Sequence, residues 1–266
     1  MTRGAALVTG ASAGLGLAYA ESLAARGHPV VLVARREERL RALAERLGAR
    51  HGARCRVVVA DLTTEAGLAA CRDAVADPAW APDVAVLNAG FGSRGPLWAL
   101  DRAREADMVR LNCVAVVDLA AHVLPGMVAR GRGALVVVSS AAAWQPVPHM
   151  ATYAATKAFE LHWTEAVAEE LRGTGVRAVA VCPGPTRTEF DTGAGRSMSL
   201  PIPLDDPGLV VRATWRALAA GRSRQPAGAV GRGSLLANRL VPRPLVVRVA
   251  GWLHRRRGLK GSDPPT

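Results

Sequence analysis

Short runs of β-branched and aliphatic residues alternate with longer stretches of helical periodicity through most of this chain. The runs predict strands over 5–9, 30–34, 56–60, 84–87, 134–139 and 176–181. Between them the apolar residues recur at helical spacing, as over 37–47 and 152–171. Strands separated by helices call for parallel βαβ units with right-handed crossovers. Several runs are apolar at every position, which fits strands covered on both faces. The pattern predicts an α/β fold: one doubly wound parallel sheet of about seven strands with helices on both faces. It fills a single domain over residues 1–233.

Past Pro183 this periodicity breaks down. Pro, Gly, Ser and Thr crowd residues 185–206, which reads as a lid over a site, because long loops in compact domains tend to be functional. A helix is expected over 207–220, with Pro207 in its first turn. Residues 234–266 form a basic C-terminal extension, part helical, with a disordered end over 261–266. In it Leu245, Val249, Trp252 and Leu253 fall on one helical face, and Arg256 spoils that face.

Composition narrows the class. Of 266 residues half are apolar and 21% charged, which excludes a disordered chain. No uninterrupted apolar run approaches the roughly 20 residues of a membrane span. Met1 to Arg3 lead straight into the first strand, so no signal peptide is expected and the chain reads as cytoplasmic. The net charge of +12 is unevenly spread: from Pro207 onward 12 basic residues face a single acid, Asp263. Such a tail suits an anionic lipid surface, nucleic acid or an acidic partner. It lacks the interleaved aromatics of a nucleic-acid binder, so nucleic acid is not expected. Cys55, Cys71, Cys113 and Cys182 are scattered and show no metal-ligand spacing, so they read as free thiols and no metal is expected.

The first strand runs into Gly10-Ala11-Ser12-Ala13-Gly14-Leu15-Gly16. There Gly10 permits a tight turn, Gly14 lets backbone approach a phosphate, and Gly16 lets the next helix pack near the sheet. The helix start then offers free N–H groups and a positive dipole end to a pyrophosphate. The second strand ends at Arg35 and Arg36, with no acid at the junction. Arginine there pairs with a ribose 2′-phosphate, where a carboxylate would bind a free 2′-hydroxyl, so NADP(H) is expected over NAD(H).

Tyr153 and Lys157 lie four apart on a helical stretch and share a face. The chain has two tyrosines and two lysines against 32 arginines, so a lysine at this position is notable. An ammonium beside a phenol favours the phenolate and brings the hydroxyl towards useful acid–base chemistry.

With these residues in place, the sequence over about 4–188 resembles the short-chain dehydrogenase/reductase family, whose fold is Rossmann-like. Thr9 to Gly16 match its TGxxxGxG turn, and Asp61-Leu62 match its adenine-binding pair. Asn88-Ala89-Gly90 match its NAG segment, with Leu87 where a further asparagine is common. Asn112 and Ser140 stand at the positions of the family's helix asparagine and catalytic serine, and Tyr153 with Lys157 match YxxxK. Pro183-Gly184 and Thr188 match the segment that touches the nicotinamide. Ala143 departs from the pattern, since many members have glycine there.

The resemblance implies hydride transfer between NADP(H) and a carbonyl or secondary alcohol. It makes Tyr153 the proton donor or acceptor, Lys157 its electrostatic partner and ribose ligand, Ser140 the hydrogen-bond donor to the substrate oxygen, and Asn112 the holder of a water beside Lys157. It also implies a homodimer or homotetramer. Trp144, Pro146, His149, Phe190 and Met198 are the candidate pocket residues, and they favour an apolar or lipid-like substrate. For the tail two readings stay open: peripheral docking on an anionic inner-membrane surface through Trp252 and Leu253, or packing on the parent domain with solvated arginines. A module that senses NADP(H) without turnover is the alternative to an enzyme.

Overall fold

The computed structural model describes residues 3–189 and 204–258. Its frame is a seven-stranded sheet in the order β3-β2-β1-β4-β5-β6-β7, every neighbouring pair parallel. The strands are β1 (Ala5–Thr9), β2 (Val30–Ala34), β3 (Cys55–Val59), β4 (Pro82–Leu87), β5 (Gly133–Val138), β6 (Val176–Pro183) and β7 (Arg224–Ala227). The helices are α1 (Gly14–Ala24), α2 (Glu37–His51), α3 (Glu65–Ala76), α4 (Arg102–Val109), α5 (Ala115–Ala129), α6 (Ala151–Glu170), α7 (Pro207–Ala219), α8 (Gly228–Leu240) and α9 (Arg243–Gly258). Six strands sit within one or two residues of their expected places. The seventh was not located in the sequence: β7 reads Arg-Gln-Pro-Ala, with no apolar run. It lies at the sheet edge, where a proline costs no ladder bond.

Alternation along the strands builds two cores. Ala6, Val8, Val30, Leu32, Val136 and Val179 face the layer of α1, α2 and α7. Leu7, Val31, Val33, Leu135, Val137 and Ala178 face the layer of α3, α5 and α6. Strands buried on both sides are therefore apolar at every position. The helix formed by α4, a π turn (Arg110–Val114) and α5 is apolar and long enough to cross a membrane, but Leu119, Ala120, Val123 and Met127 are buried against the sheet.

Helix α7 spans its expected range, capped by the Asp206 carboxylate accepting from Gly208 N. It locks onto α1 through Tyr19. The Tyr19 hydroxyl lies 2.6 Å from Thr214 Oγ1, and its ring meets Trp215 edge-on at 5.9 Å. Trp215 Nε1 donates to Ser22 Oγ at 2.9 Å.

In the C-terminal part, α8 runs without a break across the 233/234 boundary expected from the sequence. Helix α9 buries Ala250 and Gly251 and leaves Leu245, Val249 and Trp252 about half exposed. Residues 261–266, expected to be disordered, and the side chains of Leu253 and Arg256 lie outside the described set.

Thr214 Oγ1 also donates to Val210 O, so the Tyr19 hydroxyl is the donor in their pair. Tyr19→Phe should therefore cost about 1 kcal/mol, the net worth of one hydrogen bond. Tyr19→Ala should cost about 3–5 kcal/mol through the cavity it leaves. Urea unfolding midpoints at constant slope would check both.

Candidate active site

Chain connections run in opposite directions from β1 and β4, which places a crevice at their carboxyl ends. A cleft of about 640 Å³ opens there. Its floor is a hydrogen-bonded stitch between the two strand ends. Thr9 Oγ1 accepts from Asn88 N at 2.9 Å and Ala89 N at 3.0 Å, and Asn88 Nδ2 donates to Thr9 O at 3.0 Å. The glycine turn sits on this stitch. A Cβ on Gly16 would lie 2.2 Å from Gly10 O, so only glycine lets α1 start this close to β1. Gly10 and Gly14 both take left-handed backbone, with φ of 66° and 54°.

Nearly all the catalytic and cofactor-binding candidates from the sequence meet in this cleft. Gly10, Ser12, Ala13, Gly14 and Leu15 line one end, with Arg35, Arg36, Asp61 and Leu62 beside them. Asn88, Ala89 and Gly90 line the middle, and Ser140, Tyr153, Lys157, Pro183, Gly184 and Thr188 close the other end. Gly16 and Asn112 lie behind this surface: Gly16 supports the turn, and Asn112 is fully buried.

Asn112 projects from the π turn, where one extra residue per turn re-aims side chains. Its Nδ2 donates to Phe91 O at 3.1 Å and Thr156 Oγ1 at 3.0 Å, while Oδ1 accepts from Phe91 N at 3.3 Å. Ser140 caps a short 3-10 turn, its Oγ accepting from Ala142 N at 3.1 Å. Its neighbour Ser139 is buried, with its hydroxyl committed to Lys157 O at 2.7 Å.

Lys157 is buried on α6. Its Nζ donates to Val138 O at 3.0 Å and to Glu160 Oε1 at 2.9 Å, and lies 5.8 Å from the centre of the Tyr153 ring. Burial works to strip the proton from Lys157, but the Glu160 carboxylate and Tyr153 outweigh it and hold the ammonium above its ordinary range.

At the other end Arg36 Nε and Nη2 donate to Ser12 Oγ at 3.1 and 3.0 Å. Arg36 and Arg39 also grip Glu189, at 2.8 and 2.6 Å, and hold its carboxyl below the ordinary range. Partial burial pushes the Asp61 carboxyl up, but Thr63 N, the Thr63 hydroxyl and Arg35 together bring it below its usual value. Both ends of the expected lid are fixed to each other: Arg187 N donates to Asp205 O at 3.0 Å and Asp205 N to Pro185 O at 2.9 Å.

The expected pocket residues need correction. Trp144 turns away and packs against Ala143, Leu161, Ala180 and Cys182. Pro146 and His149 are absent from the cleft wall, and His149 takes a left-handed φ of 67° with its carbonyl accepting from Gly95 N. Phe190 and Met198 lie outside the described residues. Phe91, Arg94, Leu111, Gln145, Val147 and Met150 line the wall instead. Gln145, Val147 and Met150 reach the wall at no regular spacing, so no signal in the sequence marks them.

The profile of the short chain dehydrogenase family matches residues 4–198. The chain belongs to that family. Short-chain dehydrogenases are oxidoreductases of CH–OH and C=O groups. Among curated relatives, a very-long-chain 3-oxoacyl-CoA reductase of Pyricularia oryzae is 38% identical over 175 residues, which are 64% of this chain and 53% of the relative. The human inactive hydroxysteroid dehydrogenase-like protein 1 is 33% identical over 184 residues, 67% of this chain and 54% of that protein. The chain thus spans about half the length of these relatives. Among solved structures, a short-chain dehydrogenase from Sphingobium yanoikuyae in complex with NADPH superposes with a TM-score of 0.80 at 32% identity, covering 98% of this chain and 99% of that one.

The glycine turn of this short-chain dehydrogenase fits a dinucleotide: Gly16 lets α1 start tight against Gly10 and Asn88, Gly14 lets the turn pass close to Thr188, and the start of α1 thereby faces the cleft. Gly16→Ala should force the turn and α1 apart. NADPH affinity should fall about tenfold or more and folding stability by about 1–3 kcal/mol. Calorimetric titration and urea unfolding would read the two effects.

Proposed function

We propose that this chain is an NADP(H)-dependent reductase of an apolar, lipid-like carbonyl compound, also able to oxidise the corresponding secondary alcohol. The observation that carries the reading is the meeting of Ser140, Tyr153 and Lys157 in one cleft with the glycine turn and Arg36. A bound nicotinamide supplies the hydride. Tyr153 gives the proton to the carbonyl oxygen, and Ser140 donates a hydrogen bond that stabilises charge developing there. Lys157 favours the Tyr153 phenolate and keeps one N–H for the nicotinamide ribose after Val138 O and Glu160. Asn112 holds the Phe91 backbone and α6 in register beside Lys157.

Arg36, fixed by Ser12 at the end of β2, is placed to pair with a 2′-phosphate, and Arg35 lines the same end. Phe91, Leu111, Val147 and Met150 give the substrate end an apolar wall, with Arg94 and Gln145 as its polar members. The 3-oxoacyl-CoA reductase relative agrees with a long apolar substrate. NADPH consumption should proceed with an aldehyde or ketone of this kind and fall about 100- to 10,000-fold in Tyr153→Phe. Tight NADPH binding with no turnover across a broad carbonyl panel would favour the sensor alternative. Arg36→Ala should weaken NADPH about tenfold or more and leave NADH unchanged. Equal loss for both would remove Arg36 from phosphate recognition.

The C-terminal segment supports docking on an anionic lipid surface. Leu245, Val249 and Trp252 are 51%, 49% and 47% exposed at helical spacing on α9, and Leu240 is 81% exposed. Arg243 and Arg248 stand exposed on the same helix, in a tail with almost no acids. That charge matches anionic headgroups, and the apolar stripe matches the acyl boundary. Full-length protein should co-sediment with anionic vesicles and not with neutral ones, and Leu245→Glu with Val249→Glu should abolish it. Absence of sedimentation by the unaltered protein would end this reading.

A further inference from the structure

The proposed chemistry leaves one buried ionisable group without a role: Glu160, one turn beyond Lys157 on α6 and 1% exposed. Its Oε1 accepts from Lys157 Nζ at 2.9 Å, while Oε2 is buried with no hydrogen-bond partner among the described residues. A carboxylate this deep is costly, and apolar side chains would fill the space without that cost. The backbone needs no help from it either, since the Glu160 carbonyl is satisfied by Thr164 Oγ1 at 2.6 Å. What Glu160 does touch is the ammonium on which the Tyr153 hydroxyl depends.

We propose that Glu160 is a positioning and charge-setting residue for the Tyr153–Lys157 pair. Its carboxylate anchors Lys157 Nζ against Val138 O and offsets part of the ammonium's field at the Tyr153 hydroxyl. This rests on the oxidoreductase reading for its purpose, though not for its measurement. An unopposed ammonium would hold the phenol ionised too readily to act as proton donor in carbonyl reduction. With the anion in place the pair is close to neutral, and Tyr153 keeps its proton to higher pH.

The groups facing Glu160 leave this pairing undisturbed. Lys157 and Tyr153 come from α6, Cys113 from the π turn and Cys182 from β6. Burial pushes the Cys113 and Cys182 thiols up to about 11 and about 12, so neither adds charge at neutral pH. Burial likewise raises the Glu160 carboxyl to about 7, against the pull of Lys157. Above that pH Glu160 is the only anion touching the ammonium among the described residues.

The chain's two tyrosines make the test direct. Tyr19 is fully buried, and burial drives its phenol far above the ordinary tyrosine range. Phenolate absorbance in the near ultraviolet therefore reports Tyr153, and Tyr19→Phe as background removes any doubt about assignment. Against that background, Glu160→Gln keeps shape and acceptor but removes the charge. The Tyr153 midpoint should fall by about one pH unit, a tenfold change in its ionisation constant, as expected for loss of a unit charge acting across a partly screened interior. Glu160→Asp, which retains the charge, should return it towards the parent value, and Tyr153→Phe supplies the blank.

A midpoint that stays put or rises in a folded Glu160→Gln protein would overturn the proposal and leave Glu160 a structural partner. If Glu160→Gln fails to fold, Glu160→Leu carries the same comparison without a buried polar group. No substrate is needed, so failure of all carbonyls to react would remove the reductase reading and leave this result standing. Where a substrate is found, the acidic limb of alcohol oxidation should move in the same direction and by the same amount.

Discussion

The cleft depends on the way the end of β1 is tied to the end of β4. Parallel strands share no side-chain contacts past their last ladder bond, so loops leaving them would splay without a further link. Thr9 and Asn88 provide it, exchanging side-chain and backbone bonds across the gap. That fixes the glycine turn on one side and the Ala89-Gly90 backbone on the other. Gly90 then passes so close to Asn112 and Lys157 that a Cβ would lie 3.0 Å from Asn112 Oδ1 and 3.3 Å from Lys157 Nζ. Position thus propagates from the sheet to the π turn and to α6 through contacts that leave no slack.

Electrostatics at the far end follow from this crowding. Lys157 is enclosed, and a buried ammonium persists only with an anion or good acceptors at hand. Val138 O and Glu160 meet that need in a space sized for a compact ammonium. A guanidinium is a broad planar fork and not a compact point charge, which gives a physical reason for lysine in a chain that otherwise uses arginine. The pair also biases stability with pH. The carboxyl of Glu160 is raised in the fold to about 7, so the native state binds an extra proton between the ordinary carboxylate range and that value. Its contribution is fully present below the ordinary range and is lost as pH rises through about 7. Lys157, also raised, loses its contribution only at alkaline pH.

Patterns that involve many residues at once were legible in the sequence. Two-sided burial writes itself into strands as continuous apolar runs, and the turn glycines are forced by contacts under 3 Å. Tyr153 and Lys157 stood out through helical spacing and rarity. Features that depend on the path of a loop did not show. Trp144 looked like a pocket residue and is a core residue, because the 3-10 turn after Ser140 rotates its side chain towards Leu161. The π turn that buries Asn112 leaves no mark in composition, and β7, Arg-Gln-Pro-Ala, has too few apolar residues to show as a strand. Nothing in the sequence singled out Glu160, and only the fold shows that it is buried.

Helix α9 inverts the usual logic of a surface helix. Such helices bury their large apolar side chains and expose small or charged ones. Here the buried residues among those described are Ala250 and Gly251, and Gly251 comes so near the 144–150 loop that a Cβ would lie 3.3 Å from Pro148. Small residues suit close seating, and they leave Leu245, Val249 and Trp252 outward. The seat uses the opposite face from that stripe, whose side chains stay about half exposed. Val147 and Met150, on either side of Pro148 and His149, wall the cleft. The helix that carries the half-exposed apolar side chains is therefore braced against the loop that walls one end of the cleft.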